Sequence, residues 1–393
     1  MIVLSGADIV LPDRVLSQGT LVLDGEQIVH ITGGTRAAGG SEHHFDLSGH
    51  LVVPGFIDVH IHGVEGTDTL DSETAIQTIA DRLPRFGVTA FCPTSIACSP
   101  VVLRRLLASV GAARRADRSR GARVLPAHLE SNFINPDFKG AQPLDCLRLP
   151  RGRVDGEFTG AEILSEIAAA RTEVGIVTVA PELDGALELI RDLASHGHHI
   201  SLGHSGASYD EAIAGIDAGA RQATHLFNRM TPIAHRQPGL AAAVLDHEAI
   251  TAEVICDGVH VHPAMVRLAL AAKHTSHIMA ITDGTAGAGL PRGSRTIIGG
   301  RAITVGNFAA LDDGTMAGSV LTMDQAFARL VTAMGVGLVD AATICATTPA
   351  RALGLEGFGA IVPGAIADLV VMDRELKVTH TFIAGALVHG PNA

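Results

Sequence analysis

The sequence of 393 residues contains no tryptophan, one tyrosine and only three lysines, Lys139, Lys273 and Lys377. Basic residues number 29 against 41 acidic ones, giving a formal net charge of −12. Contact with a nucleic-acid backbone needs clustered Lys and Arg, so this balance argues against a nucleic-acid partner. The five cysteines (Cys92, Cys98, Cys146, Cys256, Cys345) are scattered and never spaced C-x-x-C, which indicates neither a disulfide framework nor a thiolate zinc site. They read as buried free thiols. No uncharged apolar run approaches the ~18 residues of a membrane span. The N-terminal MIVLSGADIVLPDRV has no basic n-region and meets Asp8 before an apolar h-region forms. A cytoplasmic protein with no membrane partner is therefore expected.

What is present is apolar material: 47% of the chain is hydrophobic and 18% charged, enough for a sizeable core and too little charge for a disordered chain. Residues 1 to 53 alternate apolar and polar positions between turns, as in GTLVLDGEQIVHITGG with its hairpin-type Asp24-Gly25. From Leu51 onward, short apolar runs alternate with stretches of helical period, as in βα units around a parallel sheet. The strand-like runs fall at 51–62, 88–95, 122–130, 176–183, 199–205, 222–227, 250–260 and 277–285. This pattern predicts an α/β protein with a (β/α)8 TIM-like barrel over 54–355. A polar loop at 131–160 and a β-type excursion at 290–315 interrupt it. After helices near 323–334 and 341–353 the strand pattern returns, so 1–53 plus 356–393 are expected to form a small β-sandwich domain from both chain ends.

The strongest local signal is the strand-like Pro54-Gly-Phe-Ile-Asp-Val-His60-Ile-His62-Gly63. Period-2 geometry places His60 and His62 on one face, and at the C-terminal end of a first barrel strand that face looks into the barrel mouth. In a chain with 20 histidines an isolated H-x-H pair is weak evidence, and 196/198 and 260/262 repeat it. Further candidate ligands close other strands: Glu130 the third, His204 the fifth and His225 the sixth. Each taken alone reads as a rim carboxylate or a core histidine; together they outline a divalent-metal site, zinc before iron, since imidazoles with one carboxylate suit those ions better than calcium or magnesium. Asp283, in ITDGT at the end of the eighth strand, reads either as a helix cap or as a general base and acid beside a metal-bound water.

At these residues the sequence resembles the amidohydrolase superfamily and, within it, the N-acetylglucosamine-6-phosphate deacetylases. The resemblance runs end to end, through PGFIDVHIHG, PTS, HLE with KGA, LGHS, ATHLFNRM with RQPGL, DGVHV, ITDGT, MAGSVLTMD and PGAIADLVVMD. It implies that His60, His62, Glu130, His204 and His225 bind one or two divalent ions and that Asp283 is the catalytic acid and base. Many amidohydrolases bridge two metals with a carboxylated lysine on the fourth strand; IVTVAPEL has none, so Glu130 fills that role. The resemblance also implies sugar-phosphate contacts from Asn228, Arg229, Arg236, His260, Ala317 and Gly318, with Arg236 reaching across the interface of a homodimer. Two departures stand out: HLESN (Ser131, Asn132) where many relatives read HLEGP, and KGAQ where they read KGAH. Gln142 then takes the substrate-binding place of a histidine. The implied reaction is deacetylation of N-acetyl-D-glucosamine 6-phosphate by metal-activated water. The alternatives are the N-acetylgalactosamine 6-phosphate reaction, another amidohydrolase reaction such as deamination, or a silent scaffold that has lost its ligands; none is lost here.

Overall fold

Eight parallel strands carry the fold in this computed structural model, which describes residues 1–36, 42–116, 121–151, 156–391 and 393. They are β1 (Phe56–Ile61), β2 (Val88–Ser95), β3 (Ala127–Leu129), β4 (Val174–Val179), β5 (His199–Leu202), β6 (Gln222–Ala223), β7 (Thr251–Ile255) and β8 (Ile278–Ile281). Each pairs in parallel with the next. The ring closes between β8 and β1, where Asp283 N–H donates to the His60 carbonyl at 2.9 Å and Ile61 bridges Gly284. The buried Asp58 carboxylate supports this seam by accepting from Thr282 Oγ1 at 2.6 Å. β2 is buried at every position, as expected of a strand covered on both faces.

A helix follows each strand: α1 (Ala75–Arg82), α2 (Pro100–Arg115), α3 (Gly160–Ala169), α4 (Ala186–Ser195), α5 (Tyr209–Ala218), α6 (Gly239–Asp246), α7 (Pro263–Lys273) and α8 (Met323–Thr332). Local sequence sets several starts. Thr159 with Glu162 and Ser208 with Glu211 form reciprocal capping boxes on α3 and α5, and Ser99 caps α2 ahead of Pro100. The expected (β/α)8 architecture is present. The excursion after the eighth strand is a three-stranded antiparallel sheet, Arg295–Ile298, Arg301–Val305 and Ala309–Leu311. In the polar loop after β3, residues 152–155 lie outside the described residues.

Both chain ends meet in one further eight-stranded sheet, in which Leu51–Pro54 pairs antiparallel with Leu369–Met372. Ile2–Val10 takes His43–Asp46 and Leu51–Pro54 as successive parallel neighbours. Gly6, at φ +87°, lies between the two pairings and lets the sheet fold over a core that includes Leu4, Ile9, Leu21, Val52 and Phe382.

One expectation needs correction. The run 51–62 is not a single strand: it breaks at Gly55 into an end-sheet strand and barrel strand β1. Gly55 passes so close to β2 that a Cβ would lie 2.3 Å from Thr89 Oγ1, and its N–H turns to the Asp368 carbonyl at 2.8 Å. The Asp368 side chain in turn pairs with Arg123 at 3.1 Å, both largely buried, joining the end sheet to the barrel. Removing one partner of a buried pair strands the other charge, at a cost of about 3–5 kcal/mol. Asp368→Ala is expected to lower the melting midpoint by several degrees, followed by differential scanning calorimetry; an unchanged midpoint would show that the pair contributes nothing net.

All five cysteines are free thiols, four buried and Cys146 half-buried. Among the described residues no helix is long and apolar enough to cross a membrane.

Candidate active site

The chemistry-bearing side chains project from the C-terminal ends of the barrel strands, the end where barrel loops build sites. His60 lies within β1 and His62 just beyond it, on the same face. Glu130 directly follows β3, whereas His204, His225 and Asp283 each stand two residues past β5, β6 and β8. The last three adopt left-handed backbone, with φ of +48°, +32° and +47°. No strand continues through that conformation, which is why the fifth, sixth and eighth strands stop short of the runs read from sequence. Such a conformation is costly for a residue with a side chain, and three of them gathered at one place mark a site that the surrounding structure maintains.

The side chains converge. Glu130 Oε1 lies 2.7 Å from His204 Nε2 and 2.9 Å from His225 Nε2, and these two nitrogens are 3.0 Å apart. Glu130 Oε2 lies 3.4 Å from His62 Nε2, which is 3.2 Å from His60 Nε2. Asp283 Oδ1 faces both of these imidazoles, at 3.4 Å from His60 and 3.2 Å from His62. Two ligand groups therefore share Glu130: one with His204 and His225, the other with His60 and His62.

This donor set fits a divalent transition metal. Pairs of imidazole nitrogens about 3 Å apart make poor partners for each other, but they are spaced as donors ~2.0–2.2 Å from a common ion. The far side of two rings is tied down: His204 Nδ1 to the Phe138 carbonyl at 2.8 Å and His60 Nδ1 to Glu253 Oε2 at 2.9 Å. That leaves each Nε2 as the lone-pair end.

The electrostatics agree. Burial pushes His60 down to about 3 against the pull of Asp283 and Glu130, which keeps its ring neutral. Burial acts the same way on His62, but hydrogen bonds with Asp283 and Glu130 outweigh it and lift that imidazole to about 10. Burial would raise both carboxyls; the surrounding imidazoles instead hold Glu130 well below its usual range and Asp283 below its own. Two buried carboxylates thus stay ionised and gather positive charge between them, a demand that a divalent cation also answers.

A cavity of about 430 Å³ opens over this cluster. Gln142, Asn228, Arg229, His260, Ala317 and Gly318 line it; Arg236 does not, and is exposed. His260 Nδ1 donates to Asp257 at 2.6 Å, while its buried Nε2 has no partner among the described residues. Asn228 donates its side-chain amide to the His225 carbonyl at 3.2 Å. Gly318, at φ +77°, lies so close behind Asp283 that a Cβ would meet the Asp283 carbonyl at 2.9 Å, and Ser319 N–H donates to that carbonyl at 2.8 Å. Gln142 donates its amide to Glu130 Oε2 and accepts from Ala97 N–H.

Of the two departures from the family pattern, only Gln142 reaches the cavity. Ser131 donates to the Thr178 carbonyl, and Asn132 ties the Cys98 and Cys146 carbonyls together at 2.8 and 2.7 Å, so both hold the loop. Sequence reasoning missed Asp58, His128 and Glu253, a buried polar layer beneath the donors. Asp58 shares the parity of His60 and His62, and Glu253 is the one charge in ITAEVI; a charge on the inward face of a covered strand is the available signal.

A model of the amidohydrolase family matches residues 51–388. N-acetylgalactosamine-6-phosphate deacetylase of Escherichia coli O157:H7 is 34% identical over 340 residues, 86% of this chain and 87% of that protein. N-acetylglucosamine-6-phosphate deacetylase of Bacillus subtilis strain 168 is 34% identical over 341 residues, 85% of this chain and 84% of that one. A solved structure, a variant of N-acetyl-D-glucosamine-6-phosphate deacetylase from Mycobacterium smegmatis in complex with N-acetyl-D-glucosamine-6-phosphate, has a TM-score of 0.89 at 32% identity and covers 99% of each chain. The chain belongs to the amidohydrolase family, alongside deacetylases of amino-sugar phosphates.

Proposed function

We propose that this protein hydrolyses N-acetyl-D-glucosamine 6-phosphate to D-glucosamine 6-phosphate and acetate in the cytoplasm. The observation that carries the reading is the convergence of five metal-type donors and Asp283 beneath one cavity, in a chain whose relatives are named for this reaction. A divalent ion, zinc before iron, held by Glu130, His204 and His225, with a second at His60, His62 and Glu130, supplies when bound the Lewis acidity that polarises an amide carbonyl and acidifies water.

The chain's own residues do the rest. Asp283 begins ionised and accepts the proton that the attacking water must lose; as the C–N bond breaks, it returns that proton to the departing amine nitrogen. Gln142 holds Glu130 in place and forms part of the wall beside the acetamide. The sugar phosphate is assigned to the free Nε2 of His260, the Asn228–Arg229 turn and the Ala317–Gly318 loop. Those remote contacts position the reacting bond. Arg236 lies outside this chain's cavity and is assigned to the phosphate of a neighbouring subunit in a homodimer. In this reading the barrel of 54–355 carries the reaction, and 1–53 with 356–393 form a small β-sandwich domain built from both chain ends.

A second reading has its own support, since the relative from Escherichia coli O157:H7 is named for the 4-epimer at the same 34% identity. Acetate release from N-acetylglucosamine 6-phosphate, its 4-epimer and unphosphorylated N-acetylglucosamine, on metal-loaded and chelator-stripped protein, separates the readings. Metal-dependent release is expected from the phosphorylated glucosamine compound, with little from the unphosphorylated sugar. Preference for the 4-epimer would reassign the substrate, and release from none would overturn the reading.

A further inference from the structure

Beneath the donor cluster lies a carboxylate that the proposed reaction does not use. Glu253 sits in the middle of β7, fully buried. Its Oε2 accepts from His60 Nδ1 at 2.9 Å and from the backbone N–H of His225 at 3.3 Å. One oxygen thus gathers donors from His60 and His225, one member of each metal group. The other oxygen has no hydrogen-bond partner among the described residues and stands 3.7 Å from His128 Nδ1, which donates to the Val59 carbonyl instead.

Of the four histidines in the cluster, only His60 is tied to a carboxylate at its far nitrogen. His204 uses a backbone carbonyl, and Nδ1 of His62 and of His225 has no partner among the described residues. Oε2 already accepts from the His225 N–H, so it serves as acceptor for His60 as well; the contact puts the ring proton on Nδ1 and leaves the lone pair on Nε2, facing His62 and Asp283. The other tautomer would present an N–H to the same place and could not bind an ion there. We propose that Glu253 is a positioning residue that fixes the tautomer of His60 and so sets metal loading on the His60–His62 side of the site, while the Glu130–His204–His225 side loads without it. This rests on the reading of His60 and His62 as metal ligands.

The test uses the full-length protein equilibrated with zinc, with zinc per chain measured by elemental analysis and dissociation constants by chelator competition. Glu253→Gln, Glu253→Met and His62→Ala are compared with the parent chain. Gln keeps an oxygen for both donors but not the charge, whereas Met keeps the volume and removes the acceptor. Loss of such a support costs roughly 10- to 100-fold in metal affinity. One zinc site is therefore expected to weaken in the order parent, Gln, Met, by about tenfold and then about a hundredfold, with the second site unchanged in Glu253→Gln, which keeps an acceptor for the His225 N–H.

A merely structural role would lower the melting midpoint without moving the dissociation constant, and that result overturns the proposal. If Glu253→Met does not fold, Glu253→Gln decides: a weaker site supports the role and parental affinity overturns it. Zinc lost from His62→Ala but retained by the Glu253 variants overturns the role of Glu253 alone. Zinc retained by His62→Ala removes the ligand reading beneath it and the proposal with it.

Discussion

Asp283→Asn is expected to bind substrate about as well as the parent chain and to turn it over roughly 10²–10⁴ times more slowly, the span usual for loss of a general acid–base group. The substitution is nearly isosteric, and Asn tolerates the left-handed backbone that position 283 requires at φ +47°. The backbone contacts that brace the position do not involve the side chain: N–H to the His60 carbonyl at 2.9 Å and the carbonyl to Ser319 N–H at 2.8 Å. What the amide cannot do is take a proton from water and return it to the amine. Initial rates give kcat and KM, and equilibrium titration gives the dissociation constant. Unchanged binding with collapsed kcat places the loss in the chemical step, and near-normal turnover would remove Asp283 from the mechanism.

Glu130→Ala is expected to abolish activity and, unlike chelator treatment of the parent protein, not to be rescued by added zinc. Glu130 is the one carboxylate shared by both ligand groups, with Oε1 on His204 and His225 and Oε2 facing His62. Losing it removes a charged donor from each group at once, so metal affinity should fall by more than the roughly 10- to 100-fold seen when only an outer support is removed. Zinc content after dialysis and activity with and without added zinc check this together. Stripped parent protein that recovers on adding zinc, beside a variant that does not, identifies Glu130 as a ligand. A variant that keeps its zinc and its activity would move the metal elsewhere.

The elements that were legible in the sequence are those whose signal is local. β2 over Val88–Ser95 carries no charge because both of its faces are covered, and the alternation in residues 1 to 53 reports the strands of the end sheet. His60 and His62 share a face by strand parity alone. Glu130, His204, His225 and Asp283 could be nominated because each closes an apolar run, and barrel geometry sends such ends to one mouth.

Other features depend on which segment lies against which. The run 51–62 reads as strand from end to end, and its division between two sheets shows only where Gly55 passes close to Thr89 and turns its N–H to Asp368. Ser131 and Asn132 sit beside Glu130 in sequence yet turn away from the cavity, because the carbonyls they serve belong to Thr178, Cys98 and Cys146.

The sequence by itself determined the fold class, the faces of the strands and the kinds of donor at their ends, since period and composition act over a few residues. Only the tertiary structure decided that Glu253 supports His60, that Gln142 is spent on Glu130, and that Arg236 stands outside the cavity. Closing a barrel juxtaposes strands far apart in the chain, and the contacts across that closure leave no periodic trace along it.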